Sequence, residues 1–115
     1  MSDCIFCKII DKELPAKIVY EDEEIIAFYD INPAAKVHVL VIPKKHIPSL
    51  IDVAEEDAGI ISKIYVVINK IVKDLGLDKS GFRVIMNCGE DGGQVVGHLH
   101  FHILGGEHLG TKIVR

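Results

Sequence analysis

The segment His98-Leu99-His100-Phe101-His102-Ile103-Leu104 alternates a histidine with an apolar residue over its first six positions. Alternation is the period of a β-strand, whose successive side chains point to opposite faces. Read as a strand, it sends Leu99, Phe101 and Ile103 toward a core and gathers His98, His100 and His102 on one face. Upstream, Phe82–Asn87 is a second expected strand, joined to the first by the Gly-rich stretch CGEDGGQVVG. Val37–Ile42 (VHVLVI) is rich in β-branched residues and is stopped by Pro43. Lys17–Tyr20 and Ile25–Tyr29 flank Glu21-Asp22-Glu23-Glu24 and predict a β-hairpin. Asn32-Pro33 marks the turn that follows.

Two helices complete the pattern. Cys4–Asp11 is a short helical turn, with Ile5 and Ile9, and Phe6 and Ile10, four residues apart. The long helix is expected to start at Asp52, where Glu55 three positions on gives a capping-box arrangement. Ile60, Ile61, Ile64, Val67, Ile68, Ile71, Val72 and Leu75 then recur at helical spacing, and Gly76 supplies the stop. Tyr65 and Val66 lie off that stripe and either widen the core-facing side or serve a subunit contact. Five strands, one long helix and one short N-terminal helix predict an α+β domain with a five-stranded antiparallel sheet of open strand order.

The chain's 115 residues are 49% apolar and 26% charged, with a net charge of −4. A chain of this size buries roughly two-thirds of its unfolded surface, enough for one core but not for two lobes around a cleft. No linker or repeat divides it, so residues 1–115 are expected to form a single domain. An acidic chain without a Lys/Arg stripe argues against binding nucleic acid or an anionic membrane. The longest apolar stretch, Ile60–Val72, is interrupted by Ser62, Lys63, Asn69 and Lys70, which argues against a membrane span. The start MSDCIFCKIIDKE lacks a basic region before an apolar one, and three cysteines are an odd number. Both point to a reducing compartment and a cytoplasmic protein.

Three imidazoles on one strand face either bind a metal ion or handle an anion. On a straight strand the outer two Cα atoms stand about 13 Å apart at ~3.4 Å per residue, too far for all three rings to converge on one ion. Phosphoryl chemistry fits better. Crowded imidazoles stay neutral near pH 7, and a free ring nitrogen can attack phosphorus while its neighbours donate hydrogen bonds to oxygen. The glycines of Gly89-Glu90-Asp91-Gly92-Gly93-Gln94 let backbone N–H groups approach an anion, or they form a plain loop. Asn87 donates an amide proton to the same site or caps a turn. Cys4-Ile5-Phe6-Cys7 has the spacing of metal ligands; the alternatives are a redox pair or two buried thiols.

The segment NCGEDGGQVVGHLHFHILGG resembles the signature of the histidine triad superfamily, and in particular its histidine triad nucleotide-binding branch. The resemblance extends over IFCKIIDKELPAKIVYEDE and AFYDINPAAKVHVLVIPKKHI. It implies a homodimer of α+β protomers that hydrolyses nucleoside 5′-phosphoramidates and related AMP conjugates. A dinucleoside polyphosphate hydrolase and a purine-nucleotide-binding interaction module with weak catalysis are the alternatives. By position it makes His100 the nucleophile of a covalent nucleotidyl-histidine intermediate, flanked by His102 and His38, with His98 orienting His100 through its backbone carbonyl. Without the resemblance, His38 is equally well a buried core histidine.

Phosphate oxygens would be bound by Asn87, Gln94 and backbone amides near Gly93, Val95 and Val96. The nucleoside pocket would be Ile5, Phe6, Ile9, Phe28 and Ile31, with Asp30 accepting from the ribose hydroxyls. No catalytic cofactor is implied. Bacterial relatives that carry the Cys-x-x-Cys pair bind a structural zinc with it and two histidines, which here are His46 and His98. One departure stands out: eukaryotic members carry Ser immediately after the Gln, where this chain has Val95. A hydroxyl contact to the leaving group or phosphate is therefore missing.

Overall fold

The aliphatic runs Ile25-Ile26-Ala27-Phe28 and Val39-Leu40-Val41-Ile42 are buried at every position, so the strands that carry them have apolar contacts on both faces. The computed structural model describes residues 4–113. Residues 1–3 and 114–115 of the expected 1–115 domain lie outside the described residues. The elements are α1 (Ile5–Ile10), β1 (Ile18–Glu21), β2 (Ile25–Tyr29), β3 (Val37–Pro43), α2 (Ala58–Asp74), β4 (Phe82–Ile85) and β5 (Phe101–Gly105). The strands form one five-stranded antiparallel sheet in the order β1-β2-β3-β5-β4. This is the α+β architecture expected from the sequence.

Side-chain alternation sorts the central strands onto two cores. Ile25, Ala27, Val39, Val41, Phe101 and Ile103 pack with the Ile64, Val67, Ile68, Ile71 and Val72 stripe of α2. On the opposite face Ile26, Phe28, Leu40 and Ile42 pack against Phe6 and Ile9 of α1. The histidine face is thus covered too, by a six-residue helix. The register brings Leu40 opposite His102 and His38 opposite Leu104, so two histidines from separate strands come together.

Three boundaries differ from expectation. The long helix starts at Ala58, not Asp52. Leu50–Asp52 and Glu55–Asp57 are separate 3-10 turns, and Val53 and Ala54 between them are extended with ψ of 115° and 163°. Asp52 accepts a 2.8 Å hydrogen bond from Ser49 Oγ, a local turn that competes with helix capping. Asp57 precedes the helix but caps nothing, because Lys45 Nζ holds its carboxylate at 2.9 and 3.0 Å. The expected stop holds: Gly76 has φ of +74°, and Leu77 N–H bonds Val72 O at 2.8 Å while Gly76 N–H bonds Lys73 O at 3.2 Å.

The other two differences are at the histidines and the strand beside them. Only Phe101–Gly105 belongs to the ladder, and the segment before it bends away, with Leu99 N–H bonded to Ile47 O at 2.7 Å. Partner strand β4 ends at Ile85 rather than at Asn87, so nothing continues the ladder there. Among the described residues no helix is long and apolar enough to cross a membrane.

The sheet–helix core dominates stability. Ile68→Ala, at a position 2% exposed, is expected to destabilise by about 2–5 kcal/mol in urea unfolding. Ile51→Ala, at a position 85% exposed, is expected to change stability by less than about 0.5 kcal/mol. Equal effects would contradict this packing.

Candidate functional site

The bend before β5 gives the three histidines different neighbours. His98 is fully buried, and its Nε2–H donates to Pro43 O at 2.8 Å. A carbonyl has no proton to give, so the hydrogen sits on Nε2 and Nδ1 keeps its lone pair. That lone pair faces Cys4 Sγ at 3.4 Å, Cys7 Sγ at 3.6 Å and His46 Nδ1 at 3.1 Å, and Cys7 Sγ lies 3.2 Å from His46 Nδ1. In a tetrahedral site with metal–N of ~2.0–2.1 Å and metal–S of ~2.3 Å, N–N and S–N donor separations are about 3.3–3.6 Å. Cys4, Cys7, His46 and His98 therefore fit a single tetrahedral ion. The bond to Pro43 is the kind of outer-sphere contact that orients a histidine ligand. Burial, reinforced by the hydrogen bond and charge of Cys4, pushes the Cys7 thiol up to about 11, and burial pushes His98 down to about 4. A cation at the centre would favour the Cys7 thiolate against that burial.

His100 is buried, and its Nδ1–H donates to the backbone oxygen of His98 at 2.7 Å. Its Nε2 is left unprotonated. Phe6 of α1 meets the His100 ring edge-on at 5.2 Å between centroids, and the His102 ring stands 5.0 Å away on the other side.

A second chain of bonds fixes His102. Ala34 N–H donates to His38 Nδ1 at 3.0 Å, so the His38 proton is on Nε2, and that proton goes to His102 Nδ1 at 2.9 Å. His102 therefore carries its own proton on Nε2. Asp30 Oδ2 lies 3.6 Å from His38 Nε2. Asp30, His38 and His102 are close enough to suggest a metal group, but a proton already occupies the line between the two rings. Burial lowers the pKa of His38 against the pull of Asp30, and burial with neighbouring His100 and His38 lowers His102 to about 4.

These groups border a cleft of about 680 Å³. Ile5, Phe6, Ile9, Phe28, Asp30 and Ile31 line it, together with Asn87, Gly93, Val95, Val96, His100 and His102. Among the described residues, Asp30 is the one charged side chain lining the cleft, and no Lys or Arg is among them.

Three of the expected catalytic and nucleotide-binding residues stand back from the cleft, among them His98, whose ring turns to Cys4, Cys7 and His46. His38 lies behind His102. Gln94 is engaged within its own loop: Nε2 donates to Pro48 O at 2.7 Å and Val96 O at 2.9 Å, and Oε1 accepts from Gly89 N–H at 3.0 Å. Asn87 Nδ2 likewise donates to Gly92 O at 2.7 Å. The loop is glycine-dependent, since a Cβ at Gly92 would stand 2.4 Å from Cys88 O, and Gly93 has φ of +79°.

Sequence reasoning missed the Leu14-Pro15-Ala16 wall of the cleft, together with Tyr29, Asn32 and Leu40. Leu14–Ala16 has no periodicity to signal it. It is turned back after α1 by Lys12, at φ of +64°, and by bonds from Glu13 and Leu14 N–H to Lys8 O.

The neutral state of His102 has a measurable consequence. Folding lowers its pKa from 6.5 to about 4, so between those values the unfolded chain binds more protons. This contribution to stability is complete above 6.5, falls as the pH drops through the window, and is gone below about 4. In urea melts across that range, His102→Gln is expected to remove roughly one proton from the uptake on unfolding near its midpoint. An unchanged pH slope would contradict the assignment.

Comparison with known proteins agrees with this geometry. The HIT domain family matches residues 11–109. Protein HitA of Neisseria gonorrhoeae is 50% identical over 105 residues, 91% of this chain and 97% of that protein. The solved structure of a histidine triad protein from Clostridium difficile is similar at a TM-score of 0.95 and 56% identity, covering 98% of each chain. A HIT family hydrolase from Clostridium thermocellum is similar at a TM-score of 0.96 and 52% identity, covering 99% of each chain. With the family matched over most of its length, and with His100 and His102 on the cleft and His98 directly behind them, the chain belongs to the HIT domain family.

Proposed function

We propose that the protein is a hydrolase that cleaves the P–N bond of nucleoside 5′-phosphoramidates and related AMP conjugates. The observation that carries this reading is the 2.7 Å bond from His100 Nδ1–H to His98 O, which leaves an unprotonated Nε2 at the wall of a nucleotide-sized cleft. His100 Nε2 attacks phosphorus, the P–N bond breaks, and the amine departs with a proton taken from solvent. Attack leaves the imidazole cationic, and its bond to the His98 carbonyl becomes charge-assisted as that charge develops. Water then attacks phosphorus and returns a proton to solvent, the P–Nε2 bond breaks, and AMP leaves with the His100 lone pair restored.

Other residues bind and orient. His102 Nε2–H, Asn87 and the backbone amides of Val95 and Val96 donate to phosphoryl oxygens, while the Gly93 and Gln94 N–H groups are spent inside the loop on Glu90 O and Gly89 O at 3.0 Å each, and His38 holds the His102 tautomer. Gln94 acts at one remove, by shaping the loop. The base lies between Ile5, Phe6 and Ile9 on α1 and Phe28 and Ile31 opposite. Covering ~100 Å² of it at ~25 cal/mol/Å² gives about 2.5 kcal/mol gross, enough to hold a purine with little selection among bases. Asp30 Oδ1 already accepts Asn32 N–H at 2.8 Å, which leaves its second oxygen for the ribose. A cleft with no Lys or Arg among its described lining residues supports a single phosphoryl group over a dinucleoside polyphosphate. Val95, 91% exposed at the position where eukaryotic members of the resembled branch carry Ser, favours a second reading as a nucleotide-binding module with weak catalysis.

Two sulfur and two nitrogen donors at tetrahedral spacing support Zn²⁺ at Cys4, Cys7, His46 and His98, a closed site that tethers α1 to the segment before β5. A homodimer is supported by Tyr65 and Val66, exposed on α2, and by Phe82 on the edge strand β4. Three free thiols suit the cytoplasm.

His100→Ala is expected to bind AMP with affinity close to wild type and to lose turnover of an AMP phosphoramidate by about three orders of magnitude or more. A variant retaining most of its activity would sink the nucleophile assignment. A wild-type protein that binds AMP but cleaves no AMP–amine conjugate would decide for the binding module.

A further inference from the structure

The metal cluster and the cleft share their supports. His98 points its ring at Cys4, Cys7 and His46, while its backbone oxygen accepts the proton that fixes the tautomer of His100. The ring is fully buried and held by Pro43 O, so a displacement that side-chain rotation cannot absorb reaches the backbone that carries this carbonyl. Helix α1 makes the same double connection. Cys4 and Cys7 face the cluster, whereas Ile5, Phe6 and Ile9 form a wall of the cleft, and Phe6 also touches the rings of His98 and His100. Six residues are far too few for a helix to persist alone, so the position of this wall depends on what holds its two ends. Its apolar packing on Phe28 and Leu40 is one anchor, and the thiolate pair is the other.

We propose that metal occupancy of the Cys4, Cys7, His46 and His98 cluster sets the affinity of the cleft for nucleotide, with His98 and α1 as the two connecting parts. By linkage, bound nucleotide tightens the metal by the same factor. The proposal rests on the nucleotide reading of the cleft and adds a regulatory input to it. The ion takes no part in the chemistry at phosphorus; it decides whether the nucleophile and the base-covering wall are in place.

Calorimetric titration of AMP into zinc-loaded protein and into chelator-stripped protein, with circular dichroism as the control for folding, reads the coupling directly. The expected result is a dissociation constant at least about tenfold weaker without zinc. Equal constants in two folded forms overturn the proposal and leave the nucleotide reading intact. Absence of AMP binding to the zinc-loaded form overturns both. A second measurement keeps the metal in place throughout: in protein loaded with ¹¹³Cd²⁺, saturating AMP is expected to move the cadmium resonance, because His98 is both ligand and support for His100. A resonance that does not move when AMP is bound overturns the proposal.

Discussion

The hydrogen bond from His100 Nδ1 to the backbone oxygen of His98 constrains everything around it. It requires the chain to bend just before β5, because a carbonyl two residues back on a regular strand points sideways into the ladder and is taken by a neighbouring strand. The bend is possible because β4 ends early and Ile47 O captures Leu99 N–H instead. The bond then selects one of two neutral tautomers for His100. A neutral bond of this kind contributes ~0.5–1.5 kcal/mol, and one to a charged group ~1.5–3 kcal/mol. The difference appears only as charge develops on the ring, which is where an interaction must strengthen in order to speed a reaction.

Burial on both faces of the sheet gives a small chain room for such a site. Helix α2 takes one face, and the other is divided between α1 and the cleft. The cleft combines apolar residues of α1 with Asn87, Gly93, Val95 and Val96 near the glycine loop, so apolar and polar surroundings meet in one cavity. The loop itself is held without regular structure, by Asn87, Gln94 and a glycine at position 92 that no side chain could replace.

Much of this was legible in local sequence. Alternation identified Leu99, Phe101 and Ile103 as core, the aliphatic stripe placed α2 against the sheet, and Gly76 marked its end. Family resemblance supplied His38 and His46 as partners for residues more than fifty positions away. What local pattern does not encode is competition between distant groups. The helix start was misplaced because Lys45 takes the Asp57 carboxylate and Ser49 takes Asp52, neither visible as periodicity. Alternation also placed all three histidines on one strand, whereas the partner strands support only His102 there. The role of Leu14–Ala16 in the cleft wall arises from one left-handed residue, Lys12, which sequence alone does not single out.

The central claim is that His100 becomes covalently bonded to the nucleotide. Protein mixed with an AMP phosphoramidate, denatured in alkali during turnover to preserve a histidine–phosphorus bond, and analysed by peptide mass spectrometry tests it most directly. The account predicts an adenylyl adduct on the peptide containing His98–Leu104, located at His100 and absent from His100→Ala. Turnover without an adduct at any quench time, or an adduct on His102 or His38 instead, would contradict it.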